Sequence, residues 1–436
     1  MVISPDHLVR LIPSNANSLY VAYSGGMDSH VLLHILAQTS YRTKLTAVYI
    51  NHGLQTQADD WERHCGLVCE QLQVRFKVIR VSVLRKSGVS LEEAARNARY
   101  DAFKQIMSST DVLLTGQHRD DQAETFLLQV LRGSGVAGLA SMPVQTKFAA
   151  GEILRPLLHF SRTDILEYAQ ANRLLWVEDP SNLENNFDRN YLRHHIIPLL
   201  RMRWPAVDKT IARSAEHCAE ALCHVNAFAE LHLSKLMGAT DVLDWSLLID
   251  YEFDHQLLLI RAWLLKIGLR PPSQAVTKAI LQQVVHARVD SEPSLSLQGF
   301  EVRRYRNKLY CIASRLLGNP CEKTRMWPKA QQSILLANAS SLFVESARQG
   351  IKADLWRDKE VVIKPRQGGE KLRLPYRQGR HELKKLYQEA GIPPWERDMR
   401  PIVYLDGKIA AVAGLWVDEE FWGENIDCIQ LNWQAD

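Results

Sequence analysis

The sequence contains little that would place it in or across a membrane. Its 436 residues include no run of about 18 consecutive apolar residues, the length at which a transmembrane helix is considered. The N-terminal segment, Met1 to His7, has neither the basic region nor the apolar stretch of a secretory signal peptide. We therefore expect a cytoplasmic protein with no membrane partner.

Cysteine is scarce and poorly placed for cross-linking. The seven cysteines are an odd number scattered along the chain, and no Cys-x-x-Cys pair occurs among them. Cys65 and Cys69 lie four residues apart, but no second Cys/His pair with metal-ligand spacing accompanies them. A disulfide framework is therefore not expected, and buried thiols are a better interpretation than a metal pair.

Internal repeats and low-complexity tracts are also lacking. The composition, 46% hydrophobic and 23% charged, is that of an ordinary globular protein, and the chain is too long for one compact core. Changes in pattern along the chain divide it into four predicted regions. These are an α/β domain over 1–207, a helical domain over 208–315, a linker over 316–345 and an α+β domain over 346–436.

Charge of one sign is not in large excess, but it is unevenly distributed. The net charge is only +4, whereas residues 361–385 contain eight Lys/Arg and two Asp/Glu. A local excess of this kind favours a polyanion as partner.

A glycine-containing corner near the N-terminus is the most informative stretch. Apolar residues from Leu19 predict a buried strand and those from Val31 predict a helix, with a short loop between them. Glycines in the loop let its backbone approach an anion, and the start of the helix favours negative charge. The predicted phosphate-binding residues are Ser24, Gly25, Gly26, Met27, Asp28 and Ser29.

This corner differs from a P-loop. It has no lysine, so the pattern G-x-x-x-x-G-K-[ST] is absent. Asp28 would repel a polyphosphate unless a divalent cation lay between them, and Mg²⁺ binds carboxylate and phosphate oxygens together. The alternative is a plain glycine turn capped by Asp28 and Ser29.

Strand and helix patterns alternate over the first half of the chain, which predicts an α/β fold with a parallel sheet. Further strands are predicted near residues 45–53, 76–83 and 111–116. Because ligands bind beyond the carboxyl ends of parallel strands, the loop, Asn51–His52 and the turn from Gly116 to Asp121 should converge. In that turn His118 beside Asp120 and Asp121 suits metal binding, or holding and deprotonating an amine; capping of the following helix is the simpler alternative.

The motifs resemble those of a known family. Ser-Gly-Gly-x-Asp-Ser after a strand is similar to the PP-loop of the N-type ATP pyrophosphatases. The ordered set that follows resembles the bacterial tRNA(Ile)-lysidine synthetases: His118-x-x-Asp-Asp-Gln-x-Glu-Thr125, Arg132-Gly-Ser-Gly-Val-Ala-Gly-Leu-Ala-Ser-Met142, Arg155-Pro-Leu-Leu158, Asp179-Pro-Ser-Asn182, Arg189-Asn-x-x-Arg193 and Ile197-Pro-Leu-Leu200. A block from Arg366 to Arg397 is similar to that family's C-terminal domain.

The resemblance implies a reaction and a fold. ATP would adenylate the C2 oxygen of the wobble cytidine in an isoleucine tRNA with a CAU anticodon, and the ε-amino group of free L-lysine would then replace AMP. It implies ATP as substrate and Mg²⁺ as cofactor. It also implies a Rossmann-like parallel sheet with the PP-loop, followed by a small mostly helical domain and a C-terminal α+β domain.

Roles follow for the matching residues. We expect Asp28, His118, Asp120 and Asp121 to be catalytic, with Asp28 and Asp121 binding the metal ion. Candidate tRNA contacts are Arg189, Asn190, Arg193, Lys384 and Lys385, and each could instead belong to a solvated helix face. A predicted hairpin over 295–313 adds a basic edge suited to a tRNA backbone, formed by Arg303, Arg304, Arg306 and Lys308.

Other functions are weighed against this one. A PP-loop thiolase generally needs a nucleophilic or cluster-binding cysteine, and the lack of Cys-x-x-Cys counts against it. A glutamine-dependent synthetase would need an amidase domain, for which there is no sign. A non-catalytic tRNA-binding protein would not need the intact loop or Asp120 and Asp121. The sequence leaves the oligomeric state open, a homodimer included.

Overall fold

The computed structural model describes residues 3–53, 57–83, 91–180, 187–238, 241–270, 272–288, 291–297, 299–317, 324–328, 331–336 and 340–434. The chain divides into two compact units, Met1–Ala227 and Phe228–Asp436. Ser181 and Asn182 of the quoted motifs lie outside the described residues, as does part of the predicted linker. The four-region division remains a prediction.

Unit 1 is built on a six-stranded sheet of order β3-β2-β1-β4-β6-β5. All neighbouring strands are parallel except β5 and β6. The parallel sheet predicted from the sequence is therefore confirmed, and the antiparallel hairpin at its edge was not predicted. The strands are β1 Leu19–Ala22, β2 Leu45–Asn51, β3 Arg75–Arg80, β4 Val112–Leu114, β5 Gln145–Phe148 and β6 Gly151–Leu154.

Helices follow the strands of unit 1, as the alternating pattern requires. The described part of this unit contains the starts of ten α-helices: α1 Pro5–Leu11, α2 Met27–Ala37, α3 Ala58–Gln71, α4 Leu91–Ile106, α5 Arg119–Leu131, α6 Val136–Leu139, α7 Arg162–Ala171, α8 Asp188–Tyr191, α9 Ile197–Arg203 and α10 Val207–Met237. A π-helical turn, Leu192–Ile196, joins α8 to α9.

The core of unit 1 explains why the glycine corner is firmly positioned. Nearly every residue of α2 is buried, since this helix packs among apolar side chains of β1, β2 and α7. Strand β1 buries Leu19 and Val21 completely. The loop between β1 and α2 is therefore held by two elements that cannot shift without opening the core.

Unit 2 begins with a small sheet of order β7-β10-β9-β8 packed against helices. The strands are β7 Leu243–Asp244, β8 Ser294–Leu297, β9 Phe300–Tyr305 and β10 Lys308–Ala313, and the helices are α11 Trp245–Leu248, α12 Phe253–Lys266 and α13 Gln274–Ile280. The turn predicted at Arg306–Asn307 is confirmed. The hairpin predicted over 295–313 needs one more strand, because its first half forms β8 and β9 and the chain reverses at Gly299, whose φ of +83° suits glycine.

The predicted basic edge of this sheet also needs correction. Arg304 is only 3% exposed, and it donates hydrogen bonds to the carbonyl oxygens of Val285 and Ala287 at 2.8 and 2.9 Å. Its guanidinium therefore ties β9 to the segment after α13 and cannot contact a tRNA backbone. Arg303 pairs with Glu301 at 3.1 Å, and Arg306 donates to the carbonyl oxygen of Gln388.

The remainder of unit 2 is α+β, as the sequence predicts. It contains sheets of order β11-β14-β17-β18-β19, β12-β13-β20 and β15-β16. The strands are β11 Arg325–Met326, β12 Ser333–Leu335, β13 Ser341–Lys352, β14 Val361–Lys364, β15 Lys371–Leu372, β16 His381–Glu382, β17 Ile402–Leu405, β18 Lys408–Val412, β19 Trp416–Val417 and β20 Trp422–Gln434. The helices are α14 Ala353–Asp358, α15 Leu383–Glu389 and α16 Pro394–Arg397. No helix within the described ranges has the length and apolar character needed to span a bilayer.

Candidate active site

The loop between β1 and α2 is closed by its own serines. The Ser24 and Ser29 hydroxyl oxygens lie 3.2 Å apart, and the Ser29 hydroxyl donates to the carbonyl oxygen of Gly26 at 3.0 Å. Gly26 caps α2, and Met27, the first helical residue, is buried. The backbone N–H groups of the first turn of α2 are thus available to an anion. The hydroxyl of Ser29 is used to shape the loop.

Gly25 lies over a buried thiol. Its φ is +80°, and a Cβ atom there would come within 2.9 Å of Sγ of Cys65. Its carbonyl oxygen accepts a hydrogen bond from Val177 N–H at 2.9 Å. Glycine is therefore required at position 25 for its backbone conformation and for the close approach of Cys65.

A second glycine brings two active-site segments together. A Cβ atom at Gly116 would lie 3.0 Å from the backbone carbon of Asp28 and from the backbone nitrogen of Ser29. Gly116 thereby lets the turn after β4 pack directly on the first turn of α2. This close packing explains how the two predicted parts of the site meet.

His118 lies at the centre of three carboxylates. Its Nε2 is 3.4 Å from Oδ2 of Asp121 and 3.7 Å from Oδ2 of Asp28, and its Nδ1 is 3.6 Å from Oδ2 of Asp120. The ring is only 2% exposed. The structure thus brings together all four residues that the sequence predicts to be catalytic.

The charge of His118 follows from these neighbours. Burial of the ring lowers its pKa, but the carboxylates of Asp121, Asp120 and Asp28 outweigh this effect and raise the pKa to about 9. At neutral pH the ring is therefore an imidazolium ion. It cannot deprotonate an amine in that form, and it instead offsets the negative charge of the cluster.

The two predicted metal ligands, Asp28 and Asp121, differ in whether their carboxylate oxygens already have partners within the protein. Oδ1 of Asp121 pairs with Arg193 at 3.0 Å, and its Oδ2 accepts the His118 backbone N–H at 3.0 Å, which confirms that Asp121 caps α5. Oδ1 of Asp28 is buried and has no hydrogen-bond partner among the described residues. Burial raises the pKa of Asp28 despite the nearby His118. An unpaired buried carboxylate oxygen beside a phosphate loop fits a Mg²⁺ ligand, and Asp28 fits this role better than Asp121.

Two arginines bind a buried carboxylate that the sequence analysis had not assigned. Glu124 is 1% exposed, and it accepts from Nε of Arg193 at 2.6 Å and from Nε of Arg189 at 2.8 Å. Arg189 also donates to the Thr125 hydroxyl at 2.9 Å. Both guanidinium groups therefore lie against α5 and not on a solvated helix face. Neighbouring Asn190 is half-buried on α8.

The predicted tRNA-contacting lysines lie in unit 2. Lys384 and Lys385 are exposed on α15, whose opposite side buries Leu383, Leu386 and Tyr387. The helix is thus amphipathic, with its positive charge available to solvent. That tRNA contacts these two lysines remains a prediction.

A cavity of about 950 Å³ joins the parts of the site in unit 1. It opens at the carboxyl ends of the parallel strands, where the sequence analysis places it. Its lining includes the loop, the acidic cluster and four arginine side chains from different elements: Arg99, Arg162, Arg193 and Arg201. The cavity combines an anion-binding helix start, an unpaired carboxylate oxygen and basic groups, which is suitable for binding a nucleoside triphosphate with a metal ion.

These features define the chain as a PP-loop protein. Three family models match it: a PP-loop domain over residues 4–200, a TilS substrate binding domain over 245–310 and a TilS substrate C-terminal domain over 361–433. The chain belongs to the tRNA(Ile)-lysidine synthase family, because relatives of that name match it along nearly its whole length. The predicted family, and with it an ATP-dependent ligase, is confirmed.

The relatives come from several bacteria. The tRNA(Ile)-lysidine synthase of Coxiella burnetii is 40% identical over 98% of this chain and 97% of its own. That of Methylococcus capsulatus is 40% identical over 92% of this chain and 93% of its own. That of Proteus mirabilis is 37% identical over 99% and 98% respectively.

Proposed function

We propose that this chain ligates free L-lysine to C2 of the wobble cytidine in the isoleucine tRNA with a CAU anticodon. The observation that carries the proposal is whole-length similarity to tRNA(Ile)-lysidine synthases combined with a PP-loop facing an acidic cluster. In the first step the C2 oxygen attacks the α-phosphorus of ATP and pyrophosphate leaves. In the second, the lysine ε-nitrogen attacks C2, loses a proton, and AMP leaves with the oxygen. Because the substrate is a tRNA, we place the reaction in the cytoplasm.

The loop supplies the first step with a place for the leaving group. Residues 24–29 present backbone N–H groups at the start of α2, and these would hold the β- and γ-phosphates. The α-phosphate would then face the cavity, towards His118 and its carboxylates. The His118 imidazolium ion would offset negative charge as pyrophosphate departs.

Mg²⁺ belongs to this proposal through Asp28. The free Oδ1 of that carboxylate would hold the ion, which when bound neutralises the phosphates of ATP. Asp121 is held by Arg193 and by the start of α5, so we assign it to the orientation of the site and of the lysine amine.

The tRNA would contact basic groups in both units. We keep Lys384 and Lys385 as backbone contacts, because they are exposed and lie in the most basic part of the sequence. Arg189, Asn190 and Arg193 would act close to the reacting base, because both arginines bind Glu124 and Arg193 also binds Asp121 of the acidic cluster. A homodimer stays a prediction that sedimentation can test.

A thiolase is not favoured. The thiol nearest the loop, Cys65, is buried, and burial raises its pKa to about 12. Burial raises the pKa of Cys69 to about 12 as well. Thiols that remain protonated at neutral pH are poor nucleophiles.

The assay follows pyrophosphate release and the incorporation of radiolabelled lysine into tRNA. We expect both to require ATP and the isoleucine tRNA, and we expect no incorporation with the methionine tRNA that shares the CAU anticodon. A transcript with uridine at the wobble position is the matched control. Pyrophosphate release that did not depend on tRNA, or release without lysine incorporation, would contradict the proposal.

A further inference from the structure

We propose that Arg201 is a positioning residue for the proposed reaction, acting on the acidic cluster through Asp120. This inference rests on the function proposed above. Arg201 is not among the site residues predicted from the sequence, and Asp120 takes a positioning role in place of the predicted catalytic one.

Arg201 bridges two carboxylates with one guanidinium group. Its Nη2 lies 2.6 Å from Oδ1 of Asp120, and its Nε lies 2.7 Å from Oδ2 of Asp208. The two aspartate side chains are only 14% and 13% exposed. Arg201 is at the end of α9 and Asp208 is in the first turn of α10, so the contact links these helices to the start of α5.

Asp120 has both oxygens engaged by other parts of the protein. Its Oδ2 accepts the backbone N–H of Arg162 at the start of α7 at 2.9 Å, while Oδ1 is bound to Arg201. The His118 ring also faces Asp120, with its Nδ1 3.6 Å from Oδ2. Asp120 therefore has little capacity left for a substrate or metal ion, and its role is to orient His118.

The consequence of losing Arg201 can be followed along this chain of contacts. Without the guanidinium group, Asp120 would keep only His118 as a cation and Asp208 would lose its ion pair, and Oδ1 of Asp208 already lacks a hydrogen-bond partner among the described residues. The start of α5 could then relax, and His118 would move relative to Asp28 and Asp121. Groups that orient the residues of a metal or catalytic site commonly change activity on the order of 10- to 100-fold when removed.

A direct contact with tRNA phosphate is the rival role, since Arg201 is 41% exposed and lines the cavity. A lysine substitution at position 201 distinguishes between these two roles. An Arg201→Lys variant keeps the positive charge, so it would serve a phosphate contact, but a single ammonium group cannot reproduce the planar fork that bridges two carboxylates.

The test compares Arg201→Lys and Arg201→Gln with Arg203→Gln, which removes the same charge from an exposed position on the same helix. We expect both Arg201 variants to lower kcat for lysidine formation by about tenfold or more. The KM for tRNA and its salt dependence should stay close to those of the wild type. Arg203→Gln should leave kcat unchanged.

Asp208→Asn provides a second variant in case the Arg201 variants unfold. It keeps Arg201 on Asp120 but weakens its orientation, so kcat should fall below that of the wild type while urea denaturation shows a folded protein. Full kcat in both Arg201→Lys and Asp208→Asn would overturn the inference. So would a KM for tRNA that is raised in Arg201→Gln but returns to the wild-type value in Arg201→Lys. A wild-type protein that forms no lysidine would instead reject the proposed function.

Discussion

Nε of Arg193 lies 2.6 Å from Oε1 of Glu124, a carboxylate that is 1% exposed. Since Arg189 binds the other oxygen, Glu124 holds two guanidinium groups against α5. Glu124→Gln would remove the negative charge that balances the guanidinium groups of Arg189 and Arg193. We therefore expect the free energy of unfolding to fall by about 3 kcal/mol. Urea denaturation measures this change.

The control for that experiment is an exposed ion pair. Asp60 and Arg63 lie 3.1 Å apart with side chains 69% and 73% exposed. Asp60→Asn should change the free energy of unfolding by less than about 1 kcal/mol. A Glu124→Gln protein no less stable than Asp60→Asn would mean that the buried pairs do not stabilise unit 1.

Removing the charge of Asp28 should block adenylation. Asp28→Asn keeps the size of the side chain but weakens its free oxygen as a Mg²⁺ ligand, so we expect tRNA-dependent pyrophosphate release to fall by about 100-fold or more. Binding of tRNA in a filter assay should change little. Asp101→Asn, on exposed α4 surface, is the control. Near-normal release from Asp28→Asn would remove this residue from the reaction.

Gly116 should tolerate no side chain. In Gly116→Ala the new methyl group would meet the backbone of Asp28 and Ser29 at 3.0 Å and displace the first turn of α2. We expect the free energy of unfolding to fall by about 1–3 kcal/mol. The rate of adenylation should also fall, because the first turn of α2 would bind the phosphates. Gly135→Ala serves as control, because a Cβ there meets no atom of the described residues within 4 Å. Full adenylation in Gly116→Ala would show that the two segments can separate without loss.

Lys384 and Lys385 should contribute to tRNA affinity through phosphate contacts. In the variant with both lysines changed to glutamine, binding should weaken, and the slope of log K against log salt should fall by about 0.7–0.9 per lost contact. Titration of fluorescent tRNA at several salt concentrations measures the slope. Changing Lys77 and Lys147, both exposed in unit 1, gives the control. If the Lys384/Lys385 and Lys77/Lys147 double variants gave the same salt slope, the phosphate contacts would lie at other residues.

The parts of the site that could be predicted depend on local sequence. The loop between β1 and α2 follows from adjacent apolar runs with glycines between them, and the parallel sheet follows from alternating patterns. His118, Asp120 and Asp121 meet Asp28 because parallel strands end at the same edge. Short-range rules were sufficient for these features.

The remainder depends on contacts that no short-range rule provides. Arg189 and Glu124 are 65 residues apart in sequence, so their pairing could not be predicted. Arg304 lies in a run of basic residues that is typical of a surface, yet it is buried on backbone carbonyls. The need for glycine at position 116 arises only when α2 and the turn after β4 pack together.

The thiol beneath Gly25 has a consequence for how the enzyme responds to its surroundings. Because Cys65 is fully buried and burial raises the pKa of its thiol to about 12, peroxide and alkylating reagents find almost no thiolate to attack there at neutral pH. The nucleotide corner is thus supported by a fully buried, protonated thiol beside the Tyr23 hydroxyl. Oxidative stress should leave it untouched for as long as the protein stays folded.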